Sequence, residues 1–129
     1  MTPPFQRVYS GAPWESRVGY CRALRAGDLI FVTGTAPVAE GGGVHAPGDA
    51  YAQTRRCFEI IERSLRELGA DLSAVVRTRM FVTDMSMSGE LSVVHGEVFG
   101  QIRPAATMVA VAGLMHPSLL VEIEVDAAR

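Results

Sequence analysis

Glu122, Glu124 and Asp126 are the residues whose types and spacing best suit chemistry. They alternate with Val121, Ile123 and Val125. At the two-residue period of a β-strand the carboxylates share one face and the aliphatic side chains the other. Three carboxylates on one strand face repel one another and need cations or water beside them. A second alternating run, residues 73–84, offers cations: Arg77 and Arg79 take one face with Phe81, and Val76, Met80 and Val82 take the other. The carboxylate face is therefore either a solvated surface held by structural ion pairs or the wall of a polar site. In such a wall a carboxylate can orient or deprotonate a water molecule.

Other reactive side chains carry less. Cys21 and Cys57 lie far apart, form no CxxC, and read as reduced, buried thiols. His45 and His95 show no ligand spacing with each other or with a carboxylate cluster, and His116 beside Pro117 belongs to a loop rim, so neither a metal nor a cofactor is expected. The 129 residues, 48% hydrophobic and 20% charged, describe one globular domain spanning 1–129. A net charge of −2 gives no electrostatic reason to expect nucleic acid. No apolar run approaches the roughly 18 residues of a membrane span. The opening Met-Thr-Pro-Pro-Phe-Gln-Arg lacks the order of a signal peptide. A soluble, cytoplasmic protein with no membrane partner is expected.

The elements that must position these residues can be read in order. Residues 5–9 suit a short edge strand, and 11–16 a loop anchored by Trp14. Residues 18–24 and 28–35 form the best hairpin, turning through Arg25-Ala-Gly-Asp28. Residues 39–48, with three consecutive glycines, form a surface loop. A helix follows, with Asp49 as N-cap, Gly69 just past its end, and Ala50, Cys57, Ile61, Leu65 and Leu68 on one apolar face. The strand 73–84 leads to a second helix over 88–99, with Leu91, Val94 and Val98 inward. Two further strands close the chain: 106–112, apolar on both faces as if covered on both, and 119–126. The order β-β-β-α-β-α-β-β implies an α+β domain with both helices on one face of a mixed sheet. Arg77, Arg79, Phe81, Glu122 and Glu124 then fall on the other face, where Phe81 and the apolar strand predict a self-association surface.

Val18-Gly-Tyr-Cys-Arg-Ala, Phe31-Val-Thr-Gly-Thr-Ala-Pro, Arg77-Thr-Arg-Met-Phe-Val-Thr-Asp, Arg103-Pro-Ala-Ala-Thr and Val121-Glu-Ile-Glu resemble, in order across the chain, the Rid family, also called YjgF or endoribonuclease L-PSP-like. The resemblance implies a chorismate-mutase-like fold and a homotrimer with small-molecule clefts at its subunit boundaries. Family members hydrolyse reactive imines and enamines such as 2-aminoacrylate. It further implies that Glu122 is the catalytic carboxylate and that Tyr20, Thr33 and Gly34 line the cleft with the segment Arg103, Ala106 and Thr107. The family arginine that clamps a substrate carboxylate is absent, its position being Ala106. Alanine offers none of the paired hydrogen bonds of a guanidinium. Losing a desolvated charge pair commonly costs about 2–5 kcal/mol, roughly 30- to 5,000-fold. Hydrolysis of small 2-imino acids should be poor unless another cation, with Arg103 the nearest and Arg22, Arg77 and Arg79 more distant, replaces it. Three readings follow: a hydrolase with an altered substrate, a non-catalytic metabolite-binding trimer, and, disfavoured by charge, a ribonuclease.

Overall fold

A computed structural model describes residues 4–129. Its strands are β1 (Phe5–Val8), β2 (Ala23–Ala26), β3 (Leu29–Thr35), β4 (Val75–Val82), β5 (Ala105–Ala110) and β6 (Val121–Ala128), with helices α1 (Ala50–Glu67) and α2 (Ser88–Phe99) between β3 and β4 and between β4 and β5. The six strands form one sheet in the order β1-β2-β3-β6-β4-β5. All neighbours are antiparallel except β4 and β5, which run parallel with α2 as the crossover. The expected α+β order is the one observed. Among the described residues no helix is long and apolar enough to cross a membrane.

Helix α1 begins and ends for local reasons. The Asp49 carboxylate accepts the Ala52 N–H at 2.9 Å, satisfying one free donor of the first turn. At the other end Gly69 adopts φ +81°, and the Gly69 and Ala70 N–H groups donate back to the Arg66 and Leu65 carbonyls. Cys57, Ile61, Leu65 and Leu68 are buried with Phe58 against Ile30, Val32, Val121, Ile123 and Val125. Leu91, Val94 and Phe99 of α2 join the same core, so both helices cover one face of the sheet. The Cys57 thiol donates to the Thr35 carbonyl, and burial pushes its pKa far above the usual thiol range.

Several boundaries differ from expectation. Residues 18–22 are not strand: a π-helical turn spans Glu15–Gly19, and Gly19 at φ +93° carries the chain round before β2. Trp14 is 53% exposed, and the anchor of this segment is the buried Glu15. The strand expected from residue 73 starts at Val75, after a 3₁₀ turn at Leu72–Ala74. A register shift between Val75 and Arg77 turns Val75 into the core and leaves Val76 48% exposed, the reverse of the simple alternation. Leu119 and Leu120 precede β6 rather than beginning it. Strand β5 is an edge: it pairs only with β4, ends at Ala110 and is largely exposed rather than covered.

Candidate functional site

Between Val32 and Thr35 the register of β3 against β6 slips. A slip of this kind leaves backbone groups without ladder partners. Here they are recaptured by β2 and its approach: Arg22 donates through Nη2 to the carbonyls of Thr33 (2.9 Å) and Gly34 (2.7 Å). The Thr33 hydroxyl donates to the Cys21 carbonyl at 2.7 Å, and the Thr33 N–H to the Arg22 carbonyl at 3.1 Å. Tyr20 is placed by the preceding turn. Its N–H donates to the Glu15 carbonyl at 3.0 Å, while the buried Glu15 carboxylate accepts the Ser10 N–H and hydroxyl. A groove of about 670 Å³ opens there, lined by Tyr9, Glu15, Tyr20, Cys21, Phe31 and Thr33 among others.

Glu122 lies beside this bulge on the neighbouring strand. A Cβ at position 34 would sit 2.6 Å from Glu122 Oε2, so glycine at 34 is what lets the carboxylate lie there. The carboxylate is half-buried and has no hydrogen-bond donor among the described residues. Burial raises its pKa, the Arg22 charge opposes that rise, and the Glu124 charge adds to it. Arg22 is itself disfavoured as a cation by burial, against the pull of Tyr20, Glu15 and Glu122. Its Nε is the buried side-chain nitrogen that finds no partner among the described residues. The arrangement is a carboxylate with a raised pKa, open to solvent on its acceptor side and poised over a flat glycine. Such a group suits proton transfer to or from water.

The remaining expected site residues lie elsewhere. Ala106 and Thr107 are on β5, two strands beyond β6 and so roughly 10 Å across the sheet. Ala106 is opposite the buried Thr78, on the helix side, whereas Glu122 is opposite Phe81, on the open side. One chain therefore places Gly34 against Glu122, and Tyr20 with Thr33 in the adjoining groove, and leaves Ala106 and Thr107 apart from them. Ala106, Thr107 and Met108 line a second cavity of about 350 Å³ with Met80, Ser92 and His95. Arg103 is not on a strand. It adopts φ +57° behind α2, and its Nε donates to the Gly100 carbonyl at 3.1 Å. Arg77 and Arg79 form the structural pairs: Arg79 meets Glu124 and Asp126 at 3.3 Å, and Arg77 approaches Asp126 at 3.9 Å. His116 is exposed and accepts the Ser118 N–H. No group of three or more potential metal ligands occurs among the described residues.

Sequence reasoning reached Arg22 only as a distant substitute for the clamp, and did not reach Glu15 or Cys21 as parts of this cluster. Arg22 and Cys21 sit within a run that reads as ordinary strand, and Glu15 within one that reads as loop. Only the π-turn and the slipped register turn them toward the site.

Comparison with known proteins gives one consistent result. A family model described as endoribonuclease L-PSP matches residues 11–129. An Acinetobacter baylyi protein named 3-aminoacrylate deaminase RutC is 36% identical over 104 residues, 81% of this chain and 82% of that protein. A RutC family protein of Pyrococcus abyssi is 34% identical over 110 residues, covering 85% of this chain and 86% of its own. The crystal structure of Rv2704 from Mycobacterium tuberculosis, described as a member of the YjgF/YER057c/UK114 family, superposes with a TM-score of 0.88 at 46% identity, covering 97% of this chain and 99% of that one.

Proposed function

Because the chain belongs to the endoribonuclease L-PSP family, the YjgF/Rid group, we propose that it is a cytoplasmic homotrimer that hydrolyses a small imine or enamine in clefts between subunits. Glu122 orients or deprotonates the attacking water. The observation that carries this reading is the Glu122 carboxylate, held over Gly34 with a raised pKa and no donor among the described residues. Assembly is supported by the separation of the two half-sites. Residues that one chain holds two strands apart and on opposite faces of its sheet can meet only if a second copy supplies the β5 half. The exposed apolar side chains Leu29, Phe31 and Val109 on the open face, and the bare β5 edge, are the surfaces such a copy would cover. Hydrolysis of an imine adds water across the C=N bond and expels ammonia, leaving the carbonyl. Glu122 takes the water proton and can return it to the departing nitrogen. RNA is not part of this reading, given a net charge of −2.

Ala106 favours a second reading, a trimer that binds a metabolite without turning it over, because the β5 half carries no clamp. One assay tests whether the Glu122 half can activate water, which the first reading requires. Ammonia release from 2-aminoacrylate generated in situ is expected to be barely accelerated by the wild type and accelerated at least roughly thirtyfold more by Ala106→Arg. Adding Glu122→Gln to that variant should abolish the gain. If Ala106→Arg gains nothing, the cleft geometry proposed here is wrong. Clear acceleration by the wild type would instead make Arg103 the first residue to remove.

The pH profile gives an independent check. The ionised form of Glu122 is the base, so kcat/KM in the Ala106→Arg variant should fall as pH drops through the raised Glu122 pKa. That places the acid limb above the ordinary carboxylate range. Arg22 lowers this pKa, so adding Arg22→Gln should move the limb to higher pH. A limb that stays in place would mean that Glu122 is not the titrating group.

A further inference from the structure

The cavity beside Ala106 has a property that neither the family nor the proposed hydrolysis dictates. Its lining, Met80, Ser92, His95, Gly96, Ala106, Thr107 and Met108, contains no Arg, Lys, Asp or Glu. His95 is its one titratable group, and the histidine is held in a defined way. Its Nε2 lies 2.9 Å from Oγ1 of Thr78, the β4 residue directly opposite Ala106. Thr78 is fully buried, and its hydroxyl meets no other partner among the described residues. A buried hydroxyl proton must be used, and the only acceptor within reach is Nε2. Thr78 therefore donates to His95, and the imidazole proton is left on Nδ1. That atom has no partner among the described residues and is not one of the buried polar atoms there that lack one, so it is reached by solvent. Phe99 and Phe58 pack against the ring at 4.9 and 6.2 Å between centroids and fix its plane. Burial also disfavours the imidazolium.

We infer that His95 determines ligand specificity in the β5 half of the cleft, donating one hydrogen bond through Nδ1–H to an uncharged carbonyl or hydroxyl oxygen of the ligand. The inference rests on the proposal that this half contributes to the ligand cleft, and it names what the cleft accepts. A carboxylate placed against Ala106 would lose water and meet only neutral donors, the His95 imidazole and the Ser92 and Thr107 hydroxyls, with no counter-charge, which is unfavourable. A neutral amide, ester or alcohol oxygen would lose little and gain a donor. The substrate of this chain is thus an imine or enamine whose second polar end is uncharged, in place of a 2-imino acid.

The test uses the assembled protein and two probes of equal shape, pyruvate and its amide pyruvamide, titrated while backbone amide and histidine imidazole NMR signals are followed. At neutral pH the His95 ring should show the neutral Nδ1–H tautomer. Pyruvamide should shift His95 and Ala106 signals and bind at least about tenfold more tightly than pyruvate. His95→Gln, which keeps a donor, should retain part of that preference, and His95→Phe should lose it. Ala106→Arg should reverse it in favour of pyruvate. An Nε2–H tautomer or an imidazolium at neutral pH would overturn the inference, even if the variants fail to fold. If Ala106→Arg acquires pyruvate binding but the wild type shows no preference for the amide, His95 is not the determinant and the cleft stands. If neither probe shifts the residue 106 amide in either protein, the cleft reading fails, and this inference with it.

Discussion

Gly34→Ala, introduced into the Ala106→Arg protein, is expected to cut imine hydrolysis by roughly a hundredfold while leaving thermal stability close to that of its parent. The reason is steric and confined. The new methyl would lie 2.6 Å from Glu122 Oε2, closer than such atoms approach, and a tight 3.2 Å from its carboxyl carbon. What yields is the free end of a flexible side chain, so folding is barely affected. The carboxylate must swing off the glycine, and a displacement of about an ångström is enough to cost two orders of magnitude in a positioned reaction. Residue 34 has no positive φ, so the substitution adds no backbone strain to confuse the result. The check is kcat/KM beside a melting curve. A variant as active as its parent would show that the Glu122 position seen here is not the working one, whereas loss of both activity and melting temperature would mark Gly34 as a folding residue instead.

The second large effect is on stability. Gln53 of α1 is completely buried, and its amide ties the loop before β6 to the helix. Nε2 donates to the Ser118 carbonyl at 2.9 Å and the Ala46 carbonyl at 3.3 Å, and Oε1 accepts the Leu120 N–H at 2.9 Å. Gln53→Leu fills the same space and satisfies none of these groups. A fully buried backbone group stranded in this way costs about 1–3 kcal/mol; these three are part-buried and water recovers some of that, so a loss of about 2–5 kcal/mol in unfolding free energy is expected from urea titration. A loss under about 1 kcal/mol would mean that water enters and replaces the amide. Because Leu120 lies two residues before Glu122, the surviving folded protein should also be a weaker catalyst.

What was legible in the chain divides by how local the signal is. Asp49 and Gly69 bracket α1 because a carboxylate cap and a left-handed exit are decided by the residues themselves. The alternation of β6 survived intact, since a strand with one buried face tolerates no slip. Val76 was misplaced because a single-residue bulge reverses every face assignment before it. The stretch 15–22 defeated propensity: Val18, Tyr20 and Cys21 look like strand, yet the segment is organised by Glu15 reaching back to Ser10 and by the handedness of Gly19. At the site, Tyr20, Thr33, Gly34 and Ala106 were reachable through family resemblance. Arg22 as the clip on two bulged carbonyls, and Thr78 as the residue that fixes a histidine proton, required the register of the sheet.

The strand order also governs how the molecule can be made. Strand β6 follows the other described strands and both helices in sequence and lies between β3 and β4, joining the β1-β2-β3 meander to the β4-β5 pair. Until residues 121–128 leave the ribosome these two halves share no strand pairing, and each keeps an open edge. The sheet therefore cannot grow strand by strand during synthesis. It closes in one late step of high contact order, when a single segment zips into a slot bordered on both sides. The carboxylate proposed to handle water is carried on that segment, so the site is completed by the same event that completes the sheet.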